Sequence, residues 1–218
     1  MLPGGAERLD STRMGFRFPT LMLAALLSAA ALSPAIAQEP RGKLIEPPAH
    51  LPKPQKGDPT RNLDFLFGAL KLAPDDSSAK AIEQRIWALW FATRSDTATI
   101  LMARVKKAVE AHDLDLAIKL LDAIVKIKPD YVEAWNRRAT LYFMKKDYGP
   151  ALSDIREVLR REPRHFGALS GLGLILQEVG DDKHALEVYR RALDVYPRIE
   201  RIPDIVKSLS EKVEGRDI

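Results

Sequence analysis

Four histidines are the side chains with the widest chemical reach in this sequence: His50, His112, His165 and His184. They are scattered. None forms H-E-x-x-H, and no local pair has the spacing of a zinc site. His50 falls in a proline-rich stretch. The other three fall at or near expected turns and are read as surface residues. Gly171-Leu172-Gly173 lacks the preceding strand that a phosphate-binding loop needs. Asp181-Asp182 has the character of a turn and helix start rather than of a catalytic pair. The serines form no nucleophile elbow. There is no cysteine, which removes disulfides, thiolate metal sites and cysteine nucleophiles. No catalytic centre, metal site or cofactor site emerges, and the expected chemistry is recognition by surface.

Charge adds little to that. Lys and Arg total 34 and Asp and Glu total 30, a formal net charge of +4 over 218 residues. No long basic block stands out, so no nucleic-acid partner is expected.

The elements that would carry a recognition surface are written in a period of 34. Pro129, Pro163 and Pro197 keep that step, as do Ala117, Ala151 and Ala185, and Leu101, Trp135 and Leu169. Small and large residues in fixed phase at this spacing predict stacked helical hairpins. The units are 98–131, 132–165 and 166–199, each a helix, a tight turn and a second helix. In the middle unit Trp135, Ala139 and Tyr142 share one helical face, and the turn falls near Lys146 and Asp147. Ala151, Ile155 and Val158 line the second helix. Ala151 and Ala185 mark close helix approaches, where a larger side chain would overpack. Gly173 lacks a Cβ and permits the same closeness.

These residues resemble the tetratricopeptide repeat (TPR) family. The family's first-helix pattern, W-x2-L-G-x2-Y, reads L-x2-L-G-x2-L in the last unit, from Leu169 to Leu176. Its second-helix pattern, A-x3-F-x2-A with a late proline, reads A-x3-Y-x2-A from Ala185 to Ala192, with Pro197 following. The middle unit departs at Arg138, where leucine is common. The resemblance is strong over 98–199 and looser over 61–213. It implies an all-α fold: a right-handed solenoid of helical hairpins, with an atypical capping helical pair over 61–97 and a C-terminal capping helix and tail over 200–218. Trp87 and Trp90 of the first pair are read as core or cap packing.

The resemblance also implies where a protein or peptide would bind. Positions of the first helices that face inward in the family map to Met102 and Lys106 in the first unit. They map to Asn136, Arg137, Thr140 and Phe143 in the second, and to Ser170, Leu174 and Gln177 in the third. Phe143 and Leu174 offer apolar contact, Asn136 a paired donor and acceptor, and Arg137 and Lys106 positive charge. Gly167 and Gly171 remove bulk. Some family members clamp the C-terminal carboxylate of chaperones. Here Met102 and Lys106 stand where a clamp lysine and asparagine are expected, Arg137 replaces another asparagine, and Gly171 stands in place of a basic residue. That clamp is not expected; peptide binding in general is.

The N-terminal part speaks to location. Arg13 and Arg17 precede an apolar run from Leu21 to Leu32, and Ala35-Ile36-Ala37 supplies small residues before Gln38. This is the pattern of a cleaved signal peptide, 1–37. The run is short for a bilayer span of about 20 residues. Cleavage would leave a protein of net charge +3 in the bacterial periplasm, with no stable membrane insertion. An uncleaved N-terminal anchor is the alternative. Residues 38–60 hold six prolines, Pro40, Pro47, Pro48, Pro52, Pro54 and Pro59, and are read as a linker. The expected function is a non-catalytic envelope scaffold that binds a partner on its concave face. The alternative is a structural subunit that uses its convex face or end helices.

Overall fold

The computed structural model describes residues 62–215. The expected signal segment and linker lie outside them. Among the described residues the secondary structure is entirely helical: α1 (Leu63–Lys71), α2 (Asp76–Phe91), α3 (Asp96–Glu110), α4 (Leu114–Ile127), α5 (Val132–Met144), α6 (Tyr148–Arg161), α7 (Phe166–Glu178), α8 (Asp182–Val195) and α9 (Ile202–Val213).

Most of the starts carry side-chain caps, which satisfy amides left open in a first helical turn; α5, α6 and α9 do not. Asn62, Asp75, Ser95, Asp113 and Asp181 each accept from a backbone N–H of the helix that follows. The Ser78 amide on Asp75, 2.7 Å away, holds that carboxyl below its ordinary value. The turns inside the hairpins repeat with the sequence. His112, Lys146 and Gly180 all take left-handed φ, at 57°, 59° and 83°. The next residue's N–H then reaches back to the carbonyl of Ala108, Tyr142 or Leu176, at 2.8–2.9 Å. Each is a Schellman closure, which consumes carbonyls at a helix end. His112 is therefore an exposed turn residue. Between hairpins, Pro129, Pro163 and Pro197 each sit second in a four-residue turn. Hydrogen bonds of 3.0–3.1 Å from Tyr131, His165 and Ile199 close these turns.

α3 pairs with α4, α5 with α6, and α7 with α8. The hairpins stack through α4 on α5 and α6 on α7, and α9 closes against α8. Ala117, Ala151 and Ala185 are all fully buried. A Cβ on Gly173 would meet the Tyr189 ring at 2.5 Å. Absence of a side chain is what lets that ring lie against the α7 backbone.

The departure at Arg138 has a structural reason. Its guanidinium is bidentate on Asp154, at 2.7 and 2.8 Å, and a third nitrogen reaches Asp122 on α4 at 2.7 Å. Asp154 stands one period from Val188, and Arg138 one period from Leu172. Where the third hairpin packs two apolar side chains, the second places an ion pair. Burial pushes the Asp154 carboxyl up, against the pull of the Arg138 hydrogen bonds.

The α1–α2 pair does not stack on α3 as a further repeat would. It folds back over the array: α2 reaches α5 and α7, and α1 reaches α8. Leu66, Leu70, Ile86, Trp87 and Trp90 form one apolar cluster with Phe166, Tyr189, Tyr196, Ile199, Ile202 and Leu209. The apolar faces of α1 and α2 are buried by the far end of the chain rather than by their sequence neighbour. Arg198 fastens the turn between them through the carbonyls of Ala73 and Pro74 and the Asp76 carboxylate, at 2.7–3.0 Å.

Candidate protein-binding face

The first helices of the second and third hairpins, α5 and α7, carry most of the expected contact positions, and α2 lies across part of them. Gly167 explains how it fits. A Cβ there would sit 2.9 Å from the Trp87 ring, so the missing side chain is the seat of an indole. Trp90 stacks on His165 with ring centroids 3.9 Å apart and planes 11° from parallel. Phe91 lies under the Arg137 guanidinium at 4.5 Å, and its carbonyl accepts from the Tyr131 hydroxyl at 2.9 Å. His165 was expected at the surface, but it is fully buried. Its Nδ1 caps α7 by accepting from the Ala168 amide at 3.1 Å, and α2 covers its ring. Its phase carried the signal: Tyr131 and Ile199, one period either side, are buried too.

Beneath α2 lies a polar patch that sequence reasoning missed. Glu133 is fully buried and faces three partners. Asn136 Nδ2 donates to its Oε2 at 3.2 Å, Arg137 Nε lies 3.3 Å from Oε1, and His165 Nε2 lies 3.5 Å from Oε2. Only the Asn136 contact is a hydrogen bond; Glu133 Oε1, Arg137 Nε and His165 Nε2 are buried without one, so a carboxylate removed from water is here offset mainly by the nearby guanidinium charge. Another buried glutamate, Glu83 on α2, accepts from Trp87 Nε1 and the Tyr196 hydroxyl, both at 3.2 Å, and pairs with Lys80.

The predicted contact residues separate into groups. Asn136, Thr140 and Phe143 come together in a cleft between α5 and α7, with Gly167, Gly171 and Ile175 on its other wall. Asn136 is largely buried, the Thr140 hydroxyl donates to its carbonyl at 3.1 Å, and Phe143 is half-buried against Tyr148. Arg137 is committed to Glu133 and Phe91. Ser170 is buried and donates to the Phe166 carbonyl at 2.7 Å; Leu174 is buried as well. Gln177 accepts from the Tyr189 hydroxyl at 2.7 Å. Met102 and Lys106 stand apart on α3, the first half-buried and the second exposed beside Glu110. Among the described residues no group of three or more His, Asp or Glu side chains is placed to hold a metal ion. No helix among them is long and apolar enough to cross a membrane.

Paired helices stacked in a 34-residue period, with a cleft between successive first helices, define a helical-repeat scaffold. Comparison with known proteins gives the family. The tetratricopeptide repeat profile matches residues 102–154 and 147–198. A TPR repeat-containing protein of Rhizobium etli is 42% identical over 157 residues, 72% of this chain and 77% of the relative. The small glutamine-rich tetratricopeptide repeat-containing protein 2 of Saccharomyces cerevisiae is 24% identical over 70% of this chain, which spans 38% of that relative. Among solved structures, the first TPR of Spaghetti (RPAP3), bound to the HSP90 peptide SRMEEVD, is similar with a TM-score of 0.52 at 20% identity, covering 57% of this chain and 98% of that one. A MamA structure (RS-1 double mutant) is similar at TM-score 0.52 and 19% identity, covering 56% of this chain and 68% of that one. The chain belongs to the tetratricopeptide repeat family.

Proposed function

We propose that this protein is a non-catalytic scaffold of the bacterial cell envelope that holds a protein or peptide partner in the cleft between α5 and α7. The observation that carries the reading is the cleft itself. Phe143 and Ile175 supply apolar wall, Thr140 a hydroxyl and Gly171 bare backbone on the far wall, while Trp87 takes the space at Gly167. The distant neighbour bound to an HSP90 peptide shares the fold. This chain lacks the lysine and asparagine set that would clamp a terminal carboxylate, so the partner chemistry is different. Export is supported by the basic start, short apolar run and A-x-A site of residues 1–37. The relative from Rhizobium etli fits a bacterial setting.

A photoreactive residue at position 143 in living cells tests this, with one at Arg160 on α6 as control; the Arg160 side chain is 63% exposed. A discrete adduct from 143 alone is expected. Adducts from the control alone would favour a structural subunit that binds through its convex face. That second reading draws on one observation: α2 already fills part of the inner face.

A further inference from the structure

The first hairpin presents a stacking face on which nothing among the described residues is stacked. In the second hairpin Ala134 and Leu141 are buried against the first. In the third, Ala168 and Ile175 are buried in the same phase. One period earlier stand Ile100, which is 62% exposed, and Lys107, which is exposed. Ile127 on α4 is 50% exposed beside the partly buried Leu120. The α1–α2 pair, which could have covered this face, is committed elsewhere. Arg104 sharpens the point. It stands one period before Arg138, whose guanidinium takes Asp122 from the helix stacked on it. Arg104 and Lys107 are exposed and have no ion pair among the described residues.

We propose that the open face of α3 and α4 is a docking site for a helix of another protein. That helix would carry apolar, acidic and apolar side chains at i, i+4 and i+7. The template is internal: α4 presents Ile118, Asp122 and Val125 at that spacing, and it covers the equivalent face of α5. The carboxylate would meet Arg104 as Asp122 meets Arg138, with Lys107 adding positive charge at the edge. Opposed charge and an apolar centre are what specify a partner across such an interface. This surface is separate from the α5–α7 cleft, so failure of adduct formation at position 143 would leave it standing.

The probe is a labelled peptide of the chain's own α4, Leu114–Ile127, titrated into the full chain and read by fluorescence anisotropy. Saturable binding is expected, weakened at least tenfold by Ile100→Asp or Arg104→Glu in the chain. Both positions are exposed, so neither change should unfold it. A peptide carrying Asp122→Lys should bind the native chain poorly and recover on the Arg104→Glu chain. No binding, or binding indifferent to Arg104 and to the charge exchange, would overturn the proposal. Sedimentation supplies a further arm. Self-association of the full chain that Ile100→Asp abolishes would assign the face to a second copy and overturn the assignment to another protein.

Discussion

Trp87→Ala is expected to lower stability by about 3–5 kcal/mol, read as a shift of the urea midpoint at unchanged slope. Trp87 is fully buried between α2 and the start of α7. Its ring packs edge-on against Trp90 and Phe166, at 5.1 and 5.4 Å, and fills the space Gly167 leaves open. Its indole N–H donates to Glu83. Removing it costs transfer energy and leaves a cavity between α2 and α7 that rigid helices close poorly. It also strips one donor from a buried carboxylate. A single cooperative transition is expected, because α1 and α2 share their core with α7, α8 and α9. A loss below about 1 kcal/mol, the scale of an exposed substitution, would mean that the pair is not docked as described.

The second large effect is at Asp154. Asp154→Ala is expected to cost about 3 kcal/mol, since it leaves Arg138 without its bidentate partner in a mostly buried site. Asp122 remains, but it is half-exposed and holds only one nitrogen. Replacing both partners should behave differently. Arg138→Leu with Asp154→Val installs the residues found one period later, at Leu172 and Val188. Burial pushes the Asp154 carboxyl up while its hydrogen bonds hold the Arg138 guanidinium in its charged form, and a buried pair of this kind is commonly matched by apolar side chains of similar volume. The double variant is therefore expected to be as stable as the native chain or more so. Thermal denaturation of both variants checks this, and equal losses for single and double changes would contradict it.

Much of the array was legible because stacking neighbours impose the same constraint every 34 residues. Ala117, Ala151 and Ala185 sit where helices must approach, and Pro129, Pro163 and Pro197 sit where each hairpin turns into the next. The period identifies such positions without coordinates. It also held signals that went unread. His165 shares its phase with Tyr131 and Ile199, which makes it an interior position despite its polarity. Arg138 and Asp154 each replace an apolar residue of the third hairpin, a paired change that implies contact. The placement of α1 and α2 was not legible. Their apolar spacing says that one face is buried, not against what, and the pair lies outside the period. In the sequence Gly167 only removes bulk from an inner-face position. The ring that fills the space comes from 80 residues earlier, and no local pattern connects the two. For the same reason the inner-face positions could be named while their commitments to Glu133, Phe166 and Tyr189 could not.

The placement of α2 on the face of α5 and α7 decides which surface is left for a partner, so it is the point to test most directly. Nuclear Overhauser contacts between the Trp87 indole and the α-protons of Gly167 would do so in solution. Strong contacts are predicted, because the ring edge lies 2.9 Å from where a Cβ on Gly167 would be. Their absence, with a Trp87 indole N–H that exchanges as fast as an exposed one, would contradict the account and return the whole inner face to solvent.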